Sequence, residues 1–169
     1  MVAVNGNGKP GKTHVISILV EDHFGALQRV AGVFSRRGFN MNTITVGKTE
    51  KQGLSRMTIT TTGDKGMVEQ IVKQLNKLVD AIKVSVLDPG DSVVREIALV
   101  KVHVKNFETR NEVMNYSQIF RARVVDVSSD SMMVEVTGTP DKIDAFVELI
   151  RPFGLKEFVR TGITALNRD

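Results

Sequence analysis

An α+β fold built twice over is what this sequence predicts, each half running strand, helix, strand, strand, helix, strand. Three observations carry the prediction. Apolar residues switch repeatedly between the period of two of a strand and the i, i+3, i+4 spacing of a helix. One strong break, Asp88-Pro-Gly-Asp-Ser92, falls near the middle of the 169 residues. The order of elements before the break returns after it: Leu54–Leu78 and Ser131–Phe153 both run strand, Thr-Gly, polar cap, helix.

Val15–Val20 is almost wholly apolar with three β-branched residues and reads as a buried strand. Leu27, Val30, Ala31 and Phe34 form the stripe of a first helix, which Arg36, Arg37 and Gly38 close with cations and a C′ glycine. Asn40–Thr49 and Leu54–Thr62 alternate around the turn Glu50–Gly53, giving a hairpin. Asp64 is placed to cap a second helix with Val68, Ile71, Val72, Leu75 and Val79 inward, and Ala81–Leu87 is a fourth strand. After the break, Ile97–Val104 is a strand, and Thr109 with Glu112 makes a capping box for a helix to Phe120. Val124–Ser128 and Met132–Thr137 are strands. Thr139-Pro140 opens a helix with Ile143, Phe146, Val147 and Ile150 inward, and Phe158–Leu166 is the last strand. The halves are therefore residues 14–88 and 95–169, two ferredoxin-like domains with helices on one face of an antiparallel sheet. Residues 1–13 read as a disordered tail. At roughly 75 residues each half buries a limited core and leaves one sheet face and two edges open. The N-terminal half is expected to dimerise through sheet edges or helices.

Composition narrows the function. There is no cysteine, so neither a disulfide, a thiolate nucleophile nor a Cys-ligated metal is available, and the three histidines (His14, His23, His103) lie too far apart in the chain to suggest a metal-ligand spacing. No apolar run is long enough for a signal core or a bilayer span, which makes the cytoplasm the expected compartment. The net charge of +4 is scattered, which argues against nucleic acid or an anionic membrane as main partner. Leu54–Thr62 and Val15–Val20 contain no aromatic residue, so the stacking surface of an RNA-binding module is missing. No nucleophile–base or acid–base spacing appears around polar residues such as His103 and Asp126, so no catalytic residue is assigned. Gly6-Asn-Gly-Lys-Pro-Gly11-Lys12-Thr13 matches the Walker A pattern letter by letter. Only five residues precede it, however, and His14–Val20 after it is strand-like where a helix is required, so the match is read as accidental.

The stretch around which the first half is organised is the turn Asp22-His23-Phe24-Gly25-Ala26-Leu27 between first strand and first helix. A glycine there lets the backbone turn sharply and leaves the first helical N–H groups uncovered, a site suited to a carboxylate or phosphate. The same letters also fit an ordinary turn with Asp22 as N-cap.

Val20-Glu-Asp-His-Phe-Gly-Ala-Leu-Gln-Arg-Val30, Phe34-Ser-Arg-Arg-Gly-Phe-Asn40, Thr45-Val-Gly47, Leu54-Ser-Arg-Met-Thr58 and Gln70–Leu78 resemble the regulatory small subunit of acetolactate synthase. The second half adds Arg95–Lys101, Ile119-Phe-Arg121, Val125-Asp-Val127 and Arg160-Thr-Gly162. The resemblance implies that residues 14–88 are an ACT domain, an amino-acid-sensing module. It implies a non-catalytic chain with no cofactor of its own, which binds and activates a catalytic large subunit that uses thiamine diphosphate. It further implies feedback inhibition by valine or another branched-chain amino acid, bound where two ACT domains of a homodimer meet. Carried over by position, the effector site would comprise Asp22, His23, Phe24, Gly25, Ala26, Leu27, Asn40, Met41 and Ile44. Chemically, the turn amides suit the effector carboxylate, Asp22 or the Asn40 side chain its ammonium, and Leu27, Met41 and Ile44 its branched side chain. Each has a plainer alternative: Asn40 as a turn cap, Leu27 and Met41 as core. The family commonly has asparagine at the position of Asp22 and a smaller residue at that of Phe24, which leaves the effector's identity open. A free-standing amino-acid-responsive regulator, tied to no enzyme, is the competing reading.

Overall fold

The computed structural model describes residues 11–168. Residues 1–10, with most of the Walker-like segment and the tail, lie outside the described residues; Lys12 and Thr13, which close that segment, begin a strand, not a helix. The chain divides into two units, one of residues up to Val93 together with those from Gly162 onwards, the other Val94–Thr161.

The first unit contains β1 (Lys12–Glu21), α1 (Ala26–Arg37), β2 (Thr43–Lys48), β3 (Leu54–Gly63), α2 (Lys65–Leu75) and β4 (Ala81–Leu87). Its antiparallel sheet has the order β2-β3-β1-β4, the split βαββαβ topology the element order predicts. Ile16, Ile18 and Val20 of β1 and Met57 and Ile59 of β3 point to one face, where they pack with Val30, Val33 and Phe34 of α1 and Val68, Ile71 and Leu75 of α2. Gly38 ends α1 in the left-handed region at φ 66°, and the next amide, of Phe39, donates to the Phe34 carbonyl at 3.0 Å. Asp64 caps α2 by accepting from the Met67 amide at 2.8 Å. Val79 does not join that helix's stripe; α2 ends at Leu75, and Val79 stands in the following turn almost fully exposed.

The other face of this sheet is more polar, with Ser17, Thr58 and Thr60 buried beside Val15 and Leu87. It is not left open. The segment from Gly162 runs across it: β9 (Thr164–Asn167) buries Ala165, Ile163 is buried beside it, and Thr45 Oγ1 donates to the Ile163 carbonyl at 2.6 Å. The single last strand expected over Phe158–Leu166 is thus two, β8 (Leu155–Arg160) and β9, and the last residues belong with the first unit. Gly162 permits the crossing, since a Cβ there would lie 2.9 Å from Thr43 Cβ.

The second unit repeats the pattern. β5 (Ser92–His103) enters it from Val94, followed by α3 (Phe107–Ile119), β6 (Arg123–Val127), β7 (Ser131–Gly138), α4 (Pro140–Ile150), a 3₁₀ turn (Arg151–Phe153) and β8. The main strand order is β6-β7-β5-β8. Ala98, Val100 and Val102 pack with Met132, Val134, Val136, Ile143, Phe146 and Ile150, and Phe120 meets Phe146 edge-on at 5.4 Å. α3 begins two residues before the expected capping box, because Asn106 rather than Thr109 is its N-cap.

Candidate functional site

β1 ends at Glu21, and two backbone bonds hold its end in place. The Glu21 amide donates to the Asp80 carbonyl at 3.0 Å and the Asp22 amide to the Gly53 carbonyl at 2.8 Å. The chain then turns through His23 and Phe24 to Gly25, which is the N-cap of α1 at φ 90°, ψ −7°, and no side chain caps the helix. Asp22 is therefore not the cap. The Ala26 amide bonds back to the His23 carbonyl at 3.3 Å and the Arg29 amide to the Gly25 carbonyl at 3.0 Å. The amides of Phe24, Gly25, Leu27 and Gln28 find no acceptor among the described residues. Unpaired donors at the positive end of a helix dipole suit a small carboxylate.

The other predicted residues divide into two places. Asp22, His23 and Phe24 are exposed on the turn, Phe24 completely. Ala26 is buried in the core, whereas Leu27 is half exposed and lies outside it; Val33, which the predicted stripe omitted, takes a core position. Asn40 is exposed beyond the far end of α1, its side-chain amide donating to Asn42 Oδ1 at 2.9 Å and its carbonyl accepting from Thr61 Oγ1 at 2.6 Å. Met41 and Ile44 are half-buried against the first core. Thr61 pairs with His14 near the start of β1, while the turn follows its end. α1 has 12 residues, so about 18 Å of helix separates the turn from Asn40. Within one chain the two groups cannot meet on one amino acid. None of the nine predicted residues lines the 850 Å³ cavity of this unit, which lies at the start of β1 between Lys12, His14, Asp64, Val68 and Leu87.

Two functional-looking residues stand outside the predicted set. Asp80, just before β4, has a side chain only 5% exposed, and both of its oxygens accept from Arg29 Nη1 at 2.9 and 3.0 Å. His23 Nε2 lies 2.9 Å from Asp80 Oδ1, and His23 Nδ1 faces the Phe24 carbonyl at 3.0 Å. The Phe24 carbonyl, then the Asp80 carboxylate, hold the imidazole's pKa above its usual value. The signal that marks Asp80 in the sequence is a lone acid between the apolar Val79 and Ala81. Glu21, His23 and Asp80 each bring a possible ligand atom within 4.8 Å of the others. Arg29 already neutralises Asp80, so the donor set is that of an ion-pair network and fits a cation poorly.

The first unit has the βαββαβ topology of an ACT domain, and residues 16–83 match the family model of an "AHAS small subunit-like ACT domain". Residues 95–169 match the model "Small subunit of acetolactate synthase". The chain belongs to the acetolactate synthase small-subunit family. It is 57% identical over 156 residues to the probable acetolactate synthase small subunit of Methanothermobacter thermautotrophicus, covering 92% of this chain and 93% of that one. It is 45% identical to the acetolactate synthase small subunit of Aquifex aeolicus, covering 94% and 82%. The crystal structure of the acetolactate synthase small subunit from Thermotoga maritima superposes with a TM-score of 0.86 at 42% identity, covering 94% of this chain and 98% of that one. Among the described residues no helix is long and apolar enough to cross a membrane.

Proposed function

We propose that this chain is a non-catalytic regulatory subunit, which binds and activates a catalytic acetolactate synthase large subunit and makes it sensitive to a branched-chain amino acid. The large subunit would carry the thiamine diphosphate. The reading is supported by the family and by one observation above all: four bare amides at Gly25 and the distant Asn40, about 18 Å apart along α1. A two-fold pairing that sets two α1 helices antiparallel brings the turn of one copy to the Asn40 of the other, and does so twice. The amides receive the effector carboxylate, Asp22 or the Asn40 side chain its ammonium, and Leu27 with Met41 and Ile44 the edge of its side chain. Holding two copies in one arrangement shifts the population of the large subunit's states, a coupling of about 1–3 kcal/mol.

Gly25→Asp places a carboxylate among those amides. Calorimetry with the twenty amino acids is expected to show a branched-chain ligand for the unaltered protein and none for the variant, while both still co-purify with the large subunit. Unchanged feedback inhibition in the variant would misplace the site; absence of any branched-chain binding by the unaltered protein would remove the sensing role.

A further inference from the structure

We propose that Asp80 is the positioning residue of the amino-acid site: its buried carboxylate, anchored by Arg29, holds His23 and with it the turn whose amides receive the effector. The inference rests on the effector reading above. One residue grips three elements. The Asp80 carbonyl takes the amide of Glu21 at the end of β1, Oδ1 takes His23 Nε2 on the turn, and both oxygens take Arg29 in the first turns of α1. A buried carboxylate is costly unless it is well paired, so a displaced turn takes from Oδ1 its contact with His23 and leaves Arg29 alone to satisfy the charge, which favours one geometry of the turn. Pre-set donors bind an anion more tightly than donors that must first be ordered.

The second half of the chain supplies an internal control. There the end of β5 is held by the same two backbone bonds, His103 amide to Gly154 carbonyl at 2.9 Å and Val104 amide to Asp130 carbonyl at 2.9 Å. Val20 pairs with Ala81 and Val102 with Leu155, each beside a bulge one residue earlier, so Gly154 stands where the first half has Asp80. Where the carboxylate is replaced by glycine, the helix start is capped by Asn106. The clamp goes with a glycine N-cap; in the half that lacks the carboxylate a side chain caps the helix, Asn106 Oδ1 accepting from the Thr109 amide at 2.8 Å.

The geometry also makes the clamp sensitive to protons. Both ring nitrogens of His23 face acceptors, and only the imidazolium donates to both; a neutral ring satisfies one. The charged groups that meet this ring or its partner are Glu21 of β1 at 4.0 Å, Asp80 before β4 and, through Asp80, Arg29 of α1; Asp22 is its neighbour on the turn. Because the folded-state pKa is raised, the contact is complete below the unfolded value of 6.5 and is lost as pH rises through the folded one.

The test is calorimetry of L-valine, L-leucine and L-isoleucine on the full chain and its variants between pH 6 and 8.5, below the range in which a free amino acid loses its ammonium proton. The unaltered protein is expected to bind more weakly as pH rises. His23→Gln should bind with that slope abolished, and Asp80→Asn should bind about tenfold more weakly at pH 6, the factor for one lost charge-assisted contact. Variants that titrate like the unaltered protein overturn the inference and leave the effector reading standing; failure of the unaltered protein to bind any of the three overturns both. Should Asp80→Asn not fold, His23→Gln decides alone through its slope, since that side chain is 38% exposed and outside the core.

Discussion

The two halves share a backbone plan and differ at one corner. In each, a central strand is held at its end by the hairpin on one side and by the loop before the last strand on the other, and a helix then starts. In the first half that helix starts at a left-handed glycine with no side chain capping its amides, beside the buried Asp80. In the second, Asn106 in extended backbone covers the start by accepting from the Thr109 amide at 2.8 Å, beside Gly154. The difference teaches that the fold alone makes no anion site. A helix start with no side-chain cap is slightly less stable and leaves its donors open to another partner. The outer sheet faces differ as well: that of the first half lies under the segment from Gly162, while the second keeps Leu99 and Val159 exposed on its own.

Gly162→Val tests the covered face and should have the largest effect on stability. Its new Cβ meets Thr43 Cβ at 2.9 Å and the Ile44 amide nitrogen at 3.3 Å, so β2 or the crossing segment must move. A loss of about 1–3 kcal/mol is expected, as for other overpacked sites. Thermal unfolding with limited proteolysis of the C-terminal residues measures it; an unchanged midpoint with an uncut segment would show that the covering contributes nothing.

Asn106→Ala tests the capped corner. It should cost about 1 kcal/mol, read from the urea midpoint, and leave amino-acid binding at the first corner unchanged. The smallest effect is electrostatic. Asp130 at the second half's hairpin bonds Lys156 at 2.6 Å, and that contact, with help from Ser128, lowers its carboxyl pKa. A lowered pKa contributes stability above the unfolded value of 3.8 that is lost as pH falls through the folded one. Carboxyl titration by NMR should therefore give Asp130 a lower midpoint than in Lys156→Gln. The two halves then respond to pH in opposite directions, His23 losing its contact on the alkaline side and Asp130 on the acid side.

The order of elements was legible in the residues because it depends on local periodicity. Ile16, Ile18 and Val20 alternate, Ile143, Phe146, Val147 and Ile150 keep the helical step, and Gly38, Asp64 and Pro140 mark ends by their own backbone chemistry. The glycine of the turn was equally plain, since only its lack of a Cβ makes φ 90° inexpensive. What covers the outer face of the first sheet, what holds the turn and where the chain ends its path were decided by contacts between residues far apart in sequence. Asp80 reaches His23 across 57 positions and Ile163 reaches Thr45 across 118. Burial gives such contacts their weight, and burial is a property of the packed layers that no run of neighbouring letters carries.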